Sequence, residues 1–122
     1  AALIESDGHS SAKPLGMATL PYPHTLRKVL LSLPRDDVNL ADLEHELTAL
    51  NVQVVRTLLA KVGADLSSVS CIGFHGQTIL HDPARGVSWQ LGDGRQMAAA
   101  LGLTVVNRFR QNDMDHGGQG AP

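Results

Sequence analysis

Leucine and valine recur at helical spacing through the first half of the chain and predict two helices. The first set is spaced i, i+3, i+4 and i+7 and stops at Pro34, as expected for one face of a helix. Its members are Leu26, Val29, Leu30 and Leu33. A longer stripe lies between Asn39, which can cap a helix, and Gly63, which can end one. Its apolar positions are Leu40, Leu43, Leu47, Leu50, Val54, Leu58 and Val62.

Short apolar segments bounded by turn residues predict two hairpins. Residues 1–5 and 13–20 would pair around a polar turn that contains Asp7-Gly8, and Pro21 would end the second strand. Residues 78–81 and 87–91 flank a loop with proline early and glycine late, which is typical of a second hairpin.

Three further elements complete the predicted order. Residues 69–74 and 103–107 are apolar runs consistent with buried strands. Asp93 would cap a short helix that Gly102 ends, and the segment from 108 onward would be a loop. Strands interspersed with helices indicate a mixed α/β domain, with a central sheet and helices on its faces.

Composition and charge narrow the functional classes. The 122 residues fit one domain, with 43% hydrophobic residues and a net charge of −2. No basic run is present, so nucleic acid and anionic membranes are disfavoured as partners. A single cysteine, Cys71, is typical of a reducing compartment, and its place in an apolar run predicts an inert thiol. With no apolar run of membrane-spanning length, a cytoplasmic protein is expected.

Four motifs, three of which contain glycine, follow one another in the last fifty residues. In order they are GFHGQT at 73–78, QLGDG at 90–94, VVNRFR at 105–110 and GGQGAP at 117–122. Each carries polar side chains near the predicted end of an element, and all but VVNRFR pair them with glycine. Because glycine permits sharp turns and close approach, the motifs predict a site assembled from loops at one edge of a sheet.

The polar residues of these motifs have two interpretations each. His75, Gln77 and Thr78 follow a predicted strand directly, where they would either bind sugar hydroxyls or only satisfy backbone groups at a turn. Asp93 would cap a helix, bind a hydroxyl, or do both. The glycines of 117–120 would form either a backbone nest for an anion or a flexible connector.

A metal site is not predicted. The chain has six histidines, and the nearest cluster of metal-ligating types is His75, His81 and Asp82. Its spacing matches no structural zinc pattern. The 117–120 loop also lacks the lysine and hydroxyl of a Walker-type phosphate loop.

Taken as an ordered set, the four motifs resemble those of anhydro-N-acetylmuramic acid kinases. The resemblance begins at the ALIE of residues 2–5, passes through TLPYP at 19–23 and is densest from Ile72 onward. It implies an actin-like, ribonuclease-H-like ATPase fold. Residues 1–122 would be part of the N-terminal, substrate-side domain of a two-domain sugar kinase, incomplete at both ends and without the phosphate loop that precedes this segment in the family.

The resemblance also implies an activity. The full-length kinase would use ATP and Mg²⁺ to open 1,6-anhydro-N-acetylmuramic acid with water and phosphorylate O6, in peptidoglycan recycling. The binding partner would be a small anhydrosugar. Neither nucleotide nor metal is expected to bind residues 1–122 alone. A homodimer is one assembly that this interpretation allows.

One departure from the family pattern leaves the activity open. By resemblance, the substrate cleft would include His75, Gln77, Thr78, Asp93, Arg110 and Gln119. The family's catalytic base is an aspartate before a Phe-Arg pair, but Arg108 stands there, and arginine cannot accept a proton at neutral pH. Asp113 is the nearby carboxylate that also matches a family aspartate. Either Asp113 acts as the base, or the chain is a non-catalytic relative that serves as a sugar-binding or interaction module.

Overall fold

The chain folds as a mixed α/β unit, confirming the predicted class. The computed structural model describes residues 1–34 and 36–120. The last two residues of the GGQGAP motif therefore lie outside the described part. In chain order the elements are β1 Ala2–Ser6, β2 Ala12–Met17, α1 His24–Ser32, α2 Leu40–Val62, β3 Ile72–Phe74, β4 Gln77–Asp82, β5 Val87–Leu91, α3 Gly94–Leu101, β6 Val105–Asn107 and α4 Phe109–Asp115.

The six strands of the described residues pair in three two-stranded sheets, so the prediction of one central sheet was wrong. β1 pairs with β2 and β4 with β5 in antiparallel hairpins, whereas β3 and β6 are parallel. Gly76 lies between β3 and β4 with a φ of 64°, a left-handed conformation that turns the chain sharply. We attribute the separation of the β4–β5 hairpin from the β3–β6 pair to this turn. After it, β4 leaves the direction of β3 and pairs with β5 instead of extending the parallel pair.

Helix α2 has the predicted boundaries because both of its ends carry strong local signals. The Asn39 Oδ1 accepts hydrogen bonds from the amides of Ala41 (3.1 Å) and Asp42 (3.4 Å). Gly63 ends the helix in the left-handed region, at a φ of 67°. Helix α3 is bounded in the same way by Asp93 and Gly102, as predicted.

Removing the α2 cap is expected to destabilise the whole domain. Asn39→Ala deletes the acceptor for two helix amides and should lower the free energy of unfolding by about 1 kcal/mol in urea denaturation. Gln53→Ala, at an exposed position in the middle of the same helix, is the matched control. Equal midpoints for the two variants would show that the cap contributes nothing.

The hydrophobic core consists of three clusters, and α2 contributes to each of them. The first contains Leu26, Leu43, Leu47 and Leu91, with the half-buried Trp89 packed against it. The second contains Val52, Phe74, Met97 and Leu101. The third contains Ala18, Val54 and Leu58. Helix α2 therefore packs against both hairpins, the parallel pair and the short helix α3, with Val52 on the side opposite Leu43 and Leu47.

Asp7 organises the turn between β1 and β2, where the DG pair predicted it. Its Oδ1 accepts the amides of His9, Ser10 and Ser11 at 2.9 to 3.0 Å. The hydrogen bonds from His9, Ser11 and Ser10 hold the pKa of the Asp7 carboxyl well below its usual range.

Three local predictions need correction. The 69–74 strand begins only at Ile72, because residues 66–68 form a single 3₁₀ turn before it, and Cys71 is exposed instead of buried. The segment after β6 is not all loop, since α4 occupies Phe109–Asp115. The strand predicted at 13–20 ends at Met17, and the one at 103–107 begins at Val105.

Across residues 1–34 and 36–120, no helix has the length and apolar character needed to cross a membrane.

Candidate functional site

The candidate site lies where the parallel strands β3 and β6 end beside the start of α3. Phe74 and Asn107 are register partners at the last paired position of the two strands. The Asn107 side chain lies so close to Gly94 that a Cβ there would overlap its amide nitrogen. A Cβ on Gly92 would likewise overlap the Phe74 ring. Three of the four motifs, GFHGQT, QLGDG and VVNRFR, therefore meet at this edge.

The hairpin β4–β5 joins this edge through Gln90. The Gln90 side-chain amide donates to the backbone oxygen of His75 (2.6 Å) and lies 3.4 Å from the Thr78 hydroxyl. Gln77 lies beside Tyr22, whose hydroxyl donates to its Oε1 at 3.4 Å. Gln77 and Thr78 belong to β4 itself, so only His75 and Gly76 form the connection after β3.

Asp93 caps α3 with one oxygen only. Its Oδ1 accepts the amides of Arg95 (2.8 Å) and Gln96 (3.2 Å). Neither bond uses Oδ2, and the side chain is only partly buried. The two interpretations of Asp93 are therefore compatible, because the carboxylate can cap the helix and accept a ligand hydroxyl at once.

Two residues of α2 that sequence reasoning missed hold the loop before α3. Glu44 accepts the Gly92 amide at its Oε1 (2.9 Å), and Thr48 accepts the Asp93 amide at its Oγ1 (3.0 Å). Thr48 is completely buried and also donates to the Glu44 backbone oxygen at 2.7 Å. The available signal was their i, i+4 spacing, which places both on one face of the helix beside the leucine stripe.

Arg108 follows β6 directly and adopts a left-handed conformation. Its φ of 58° is the only positive value at a non-glycine residue in the described ranges. It precedes α4 without a side-chain cap hydrogen bond, and it is exposed. Phe109 then lies beside Gly73 of β3, which places the start of α4 over the parallel pair.

The glycine loop after α4 is tied back to Asp113. The Asp113 Oδ2 accepts the Gly120 amide at 2.7 Å, and its backbone oxygen accepts the Gly118 amide at 2.9 Å. The Gly117 amide bonds the Met114 carbonyl at 3.0 Å. Because these amides are already satisfied within the chain, the loop is neither an open anion nest nor a free connector, and its Gln119 is exposed.

The predicted site residues thus fall into two groups. His75, Gln77, Thr78 and Asp93 surround the edge at the end of β3. Arg110, Asp113 and Gln119 lie on α4 and its following loop, joined to that edge through β6 and Phe109. Within the described ranges, no three histidine, cysteine or acidic side chains come together as a metal-ligand set. His81 lies across its hairpin from Ser88, 3.2 Å from the hydroxyl.

Comparison with known proteins identifies relatives along the whole chain. The sequence model of the family described as "Anhydro-N-acetylmuramic acid kinase" matches residues 1–122. A protein of that name from Rhizorhabdus wittichii is 44% identical over 131 aligned residues, covering 100% of this chain and 36% of the relative. The one from Paramagnetospirillum magneticum is 42% identical, covering 99% and 34%.

A more distant relative of the same name, from Pelagibacter ubique, is 35% identical over 100% of this chain. The chain spans about a third of the length of these curated relatives. A match of this extent settles the family: the chain belongs to the anhydro-N-acetylmuramic acid kinases.

Proposed function

We propose that this chain supplies the sugar-binding side of a kinase that opens 1,6-anhydro-N-acetylmuramic acid with water and phosphorylates O6. The family match over residues 1–122 carries the proposal. In the full protein, the chain would form part of the N-terminal, substrate-side domain of an actin-like ATPase fold. The relatives' printed activity, transferred to this chain, would place it in peptidoglycan recycling.

The chemistry of the β3 edge suits a polyhydroxylated ligand. Sugar hydroxyls both donate and accept, and the side chains of His75, Gln77 and Thr78 offer both functions. Asp93 adds a charged acceptor through Oδ2, and charge-assisted hydrogen bonds are about twice as strong as neutral ones. These four residues would bind the sugar ring from one side.

The second group would bind the remainder of the substrate. Arg110 is partly buried at the first turn of α4, and its guanidinium suits the carboxylate that muramic acid carries. Gln119 is exposed on the loop that Asp113 holds against α4, where its amide would meet a hydroxyl or an amide of the ligand. Asp113 has a positioning role in this arrangement, whether or not it also accepts a proton.

The proposal assigns the use of ATP and Mg²⁺ to the full-length enzyme. Phosphoryl transfer depends on a phosphate cradle, a metal and a positioned acceptor. The described residues form no metal-ligand set, and the amides of Gly117, Gly118 and Gly120 are engaged within the chain. The proposal therefore assigns only the acceptor side of the reaction to these residues.

Arg108 supports a second candidate function, that of a non-catalytic sugar-binding module. The family's base position holds a permanently charged guanidinium, which cannot deprotonate the attacking water. In that case the same edge would bind the anhydrosugar without turning it over. Measuring ATP turnover by the full-length gene product with the anhydrosugar distinguishes an enzyme from a module.

Binding itself is testable on residues 1–122. Titration with 1,6-anhydro-N-acetylmuramic acid, followed by amide NMR, is expected to shift resonances of residues 75–78, 93, 110 and 119 together. Ring-opened N-acetylmuramic acid is the matched control and should bind more weakly. Shifts confined to other regions, or none at millimolar sugar, would contradict the proposed function.

A further inference from the structure

Two hydrogen bonds that side chains of α2 accept fix the backbone that carries the Asp93 carboxylate. The Gly92 and Asp93 amides are held at 2.9 and 3.0 Å by Glu44 and Thr48, respectively. These contacts span 48 and 45 residues of sequence, so they join separate parts of the fold. Gln96 of α3 adds a third connection, from its side chain to the His45 backbone oxygen at 3.2 Å.

Burial makes the Thr48 contact costly to lose. Thr48 has 0% exposure, and its hydroxyl both donates to the Glu44 carbonyl and accepts from Asp93. A buried donor left without an acceptor costs more than the average hydrogen bond contributes, because no water replaces the partner. The Asp93 amide would therefore favour another backbone arrangement if the hydroxyl were removed.

The Gly92 and Asp93 amides lie between the Asp93 carboxylate and the end of β3, so their position affects both. Gly92 has a φ of 142°, a conformation open to glycine but rarely to other residues, so local sequence alone does not fix the peptide before Asp93. The Gly92 backbone also lies against the Phe74 ring and Gly76 at the end of β3. Fixing Gly92 and Asp93 thus sets the distance between the Asp93 carboxylate and the His75–Thr78 segment.

We propose that Glu44 and Thr48 are positioning residues for the sugar site, forming an α2 clamp that holds Asp93 Oδ2 toward the ligand. This inference rests on the proposed function, since the ligand is the anhydrosugar of that proposal. The clamp touches no substrate, and it acts by pre-organising the carboxylate so that binding need not order the loop.

Thr48→Val tests the clamp, because valine keeps the shape of threonine and removes only the hydroxyl. Affinity for 1,6-anhydro-N-acetylmuramic acid, measured by calorimetric titration, is expected to fall about tenfold, the loss corresponding to one buried hydrogen bond. Hydrogen exchange at the Asp93 amide should accelerate by a similar factor. Thr48→Ser restores the hydroxyl and should recover both.

Thr57→Val is the matched control on the same helix. The Thr57 hydroxyl makes the same kind of bond to the carbonyl four residues earlier, at 2.9 Å, but it is exposed. This variant should leave sugar affinity and Asp93 exchange unchanged. Glu44→Gln retains an acceptor for the Gly92 amide and should bind within about twofold of the wild type.

The outcomes separate the two proposals. If the wild type binds the anhydrosugar and Thr48→Val binds equally well, the clamp is overturned while the proposed function stands. If the wild type does not bind the anhydrosugar, the proposed function fails and the clamp's role in sugar binding fails with it. If Thr48→Val does not fold, Thr48→Ser and Glu44→Ala decide: unchanged affinity in Glu44→Ala overturns the clamp.

Discussion

Arg108→Asp, introduced into the full-length protein, is expected to raise ring-opening turnover by at least about tenfold, a conservative floor for general-base assistance. The residue follows the last paired position of β6, at the edge where the site residues gather. A guanidinium there cannot accept the proton of an attacking water. Phosphorylated product formed per second under saturating sugar and MgATP is the measurement.

The backbone of residue 108 also favours aspartate. At a φ of 58°, aspartate and asparagine are among the side chains best tolerated, whereas arginine gains no local hydrogen bond. The substitution is therefore expected to leave the fold intact, so a change in turnover can be assigned to the chemistry.

Two other results would redirect the assignment of the base. If Arg108→Asp leaves turnover unchanged and Asp113→Asn abolishes it, Asp113 is the base. Asparagine still offers an oxygen to the Gly120 amide, so the loop anchored by Asp113 should survive that change. If neither the wild type nor Arg108→Asp shows turnover, the non-catalytic sugar-binding function is favoured. Arg110→Asp is the charge-matched control and should weaken sugar binding without raising turnover.

Gly76→Ala is expected to lower the free energy of unfolding by at least about 3 kcal/mol, combining left-handed strain with overpacking. Gly76 has a φ of 64°, and a Cβ there would overlap the Leu91 backbone oxygen. Backbone cannot rotate away as a flexible side chain can, so the β3–β4 turn must open. Because His75 lies in this turn and Gln77 directly follows it in β4, sugar binding should be lost as well.

Gly86→Ala is the control that carries the left-handed strain without the overpacking, so the difference between the two variants gives the steric part. Gly86 has a similar φ of 67°, but a Cβ there meets no atom within 4 Å. Only the left-handed strain applies, so about 1–2 kcal/mol of destabilisation is expected. Urea denaturation of both variants measures the difference, and indistinguishable midpoints would show that the contact with Leu91 is not restrictive.

Elements with strong local signals were predictable from the sequence. Helix α2 carries its own capping asparagine and terminating glycine, and the Asp93 helix does the same, so both were bounded correctly. The β4–β5 hairpin was located because proline and glycine mark its turn. In each case the deciding residues are neighbours in sequence.

The features that the sequence did not predict depend on contacts between residues distant in the sequence. Helix α4 has the sequence FRQNDMD, which lacks an apolar repeat and follows a left-handed arginine that propensities do not indicate. The β4–β5 hairpin leaves the parallel pair at a backbone turn at Gly76, whose direction the sequence does not encode locally. Glu44 and Thr48 look like ordinary helix residues until the fold brings the 92–93 amides to them.

Trp89 gives the protein a built-in optical reporter. It is the only tryptophan in the chain, and it packs against the first core cluster from the strand that also carries Gln90. Trp89 directly precedes Gln90 in the sequence, and the Gln90 side chain joins His75 to Thr78. Emission excited at the indole band comes from this one location, so a spectral change would report on the hairpin beside the candidate site and not on an average over the molecule.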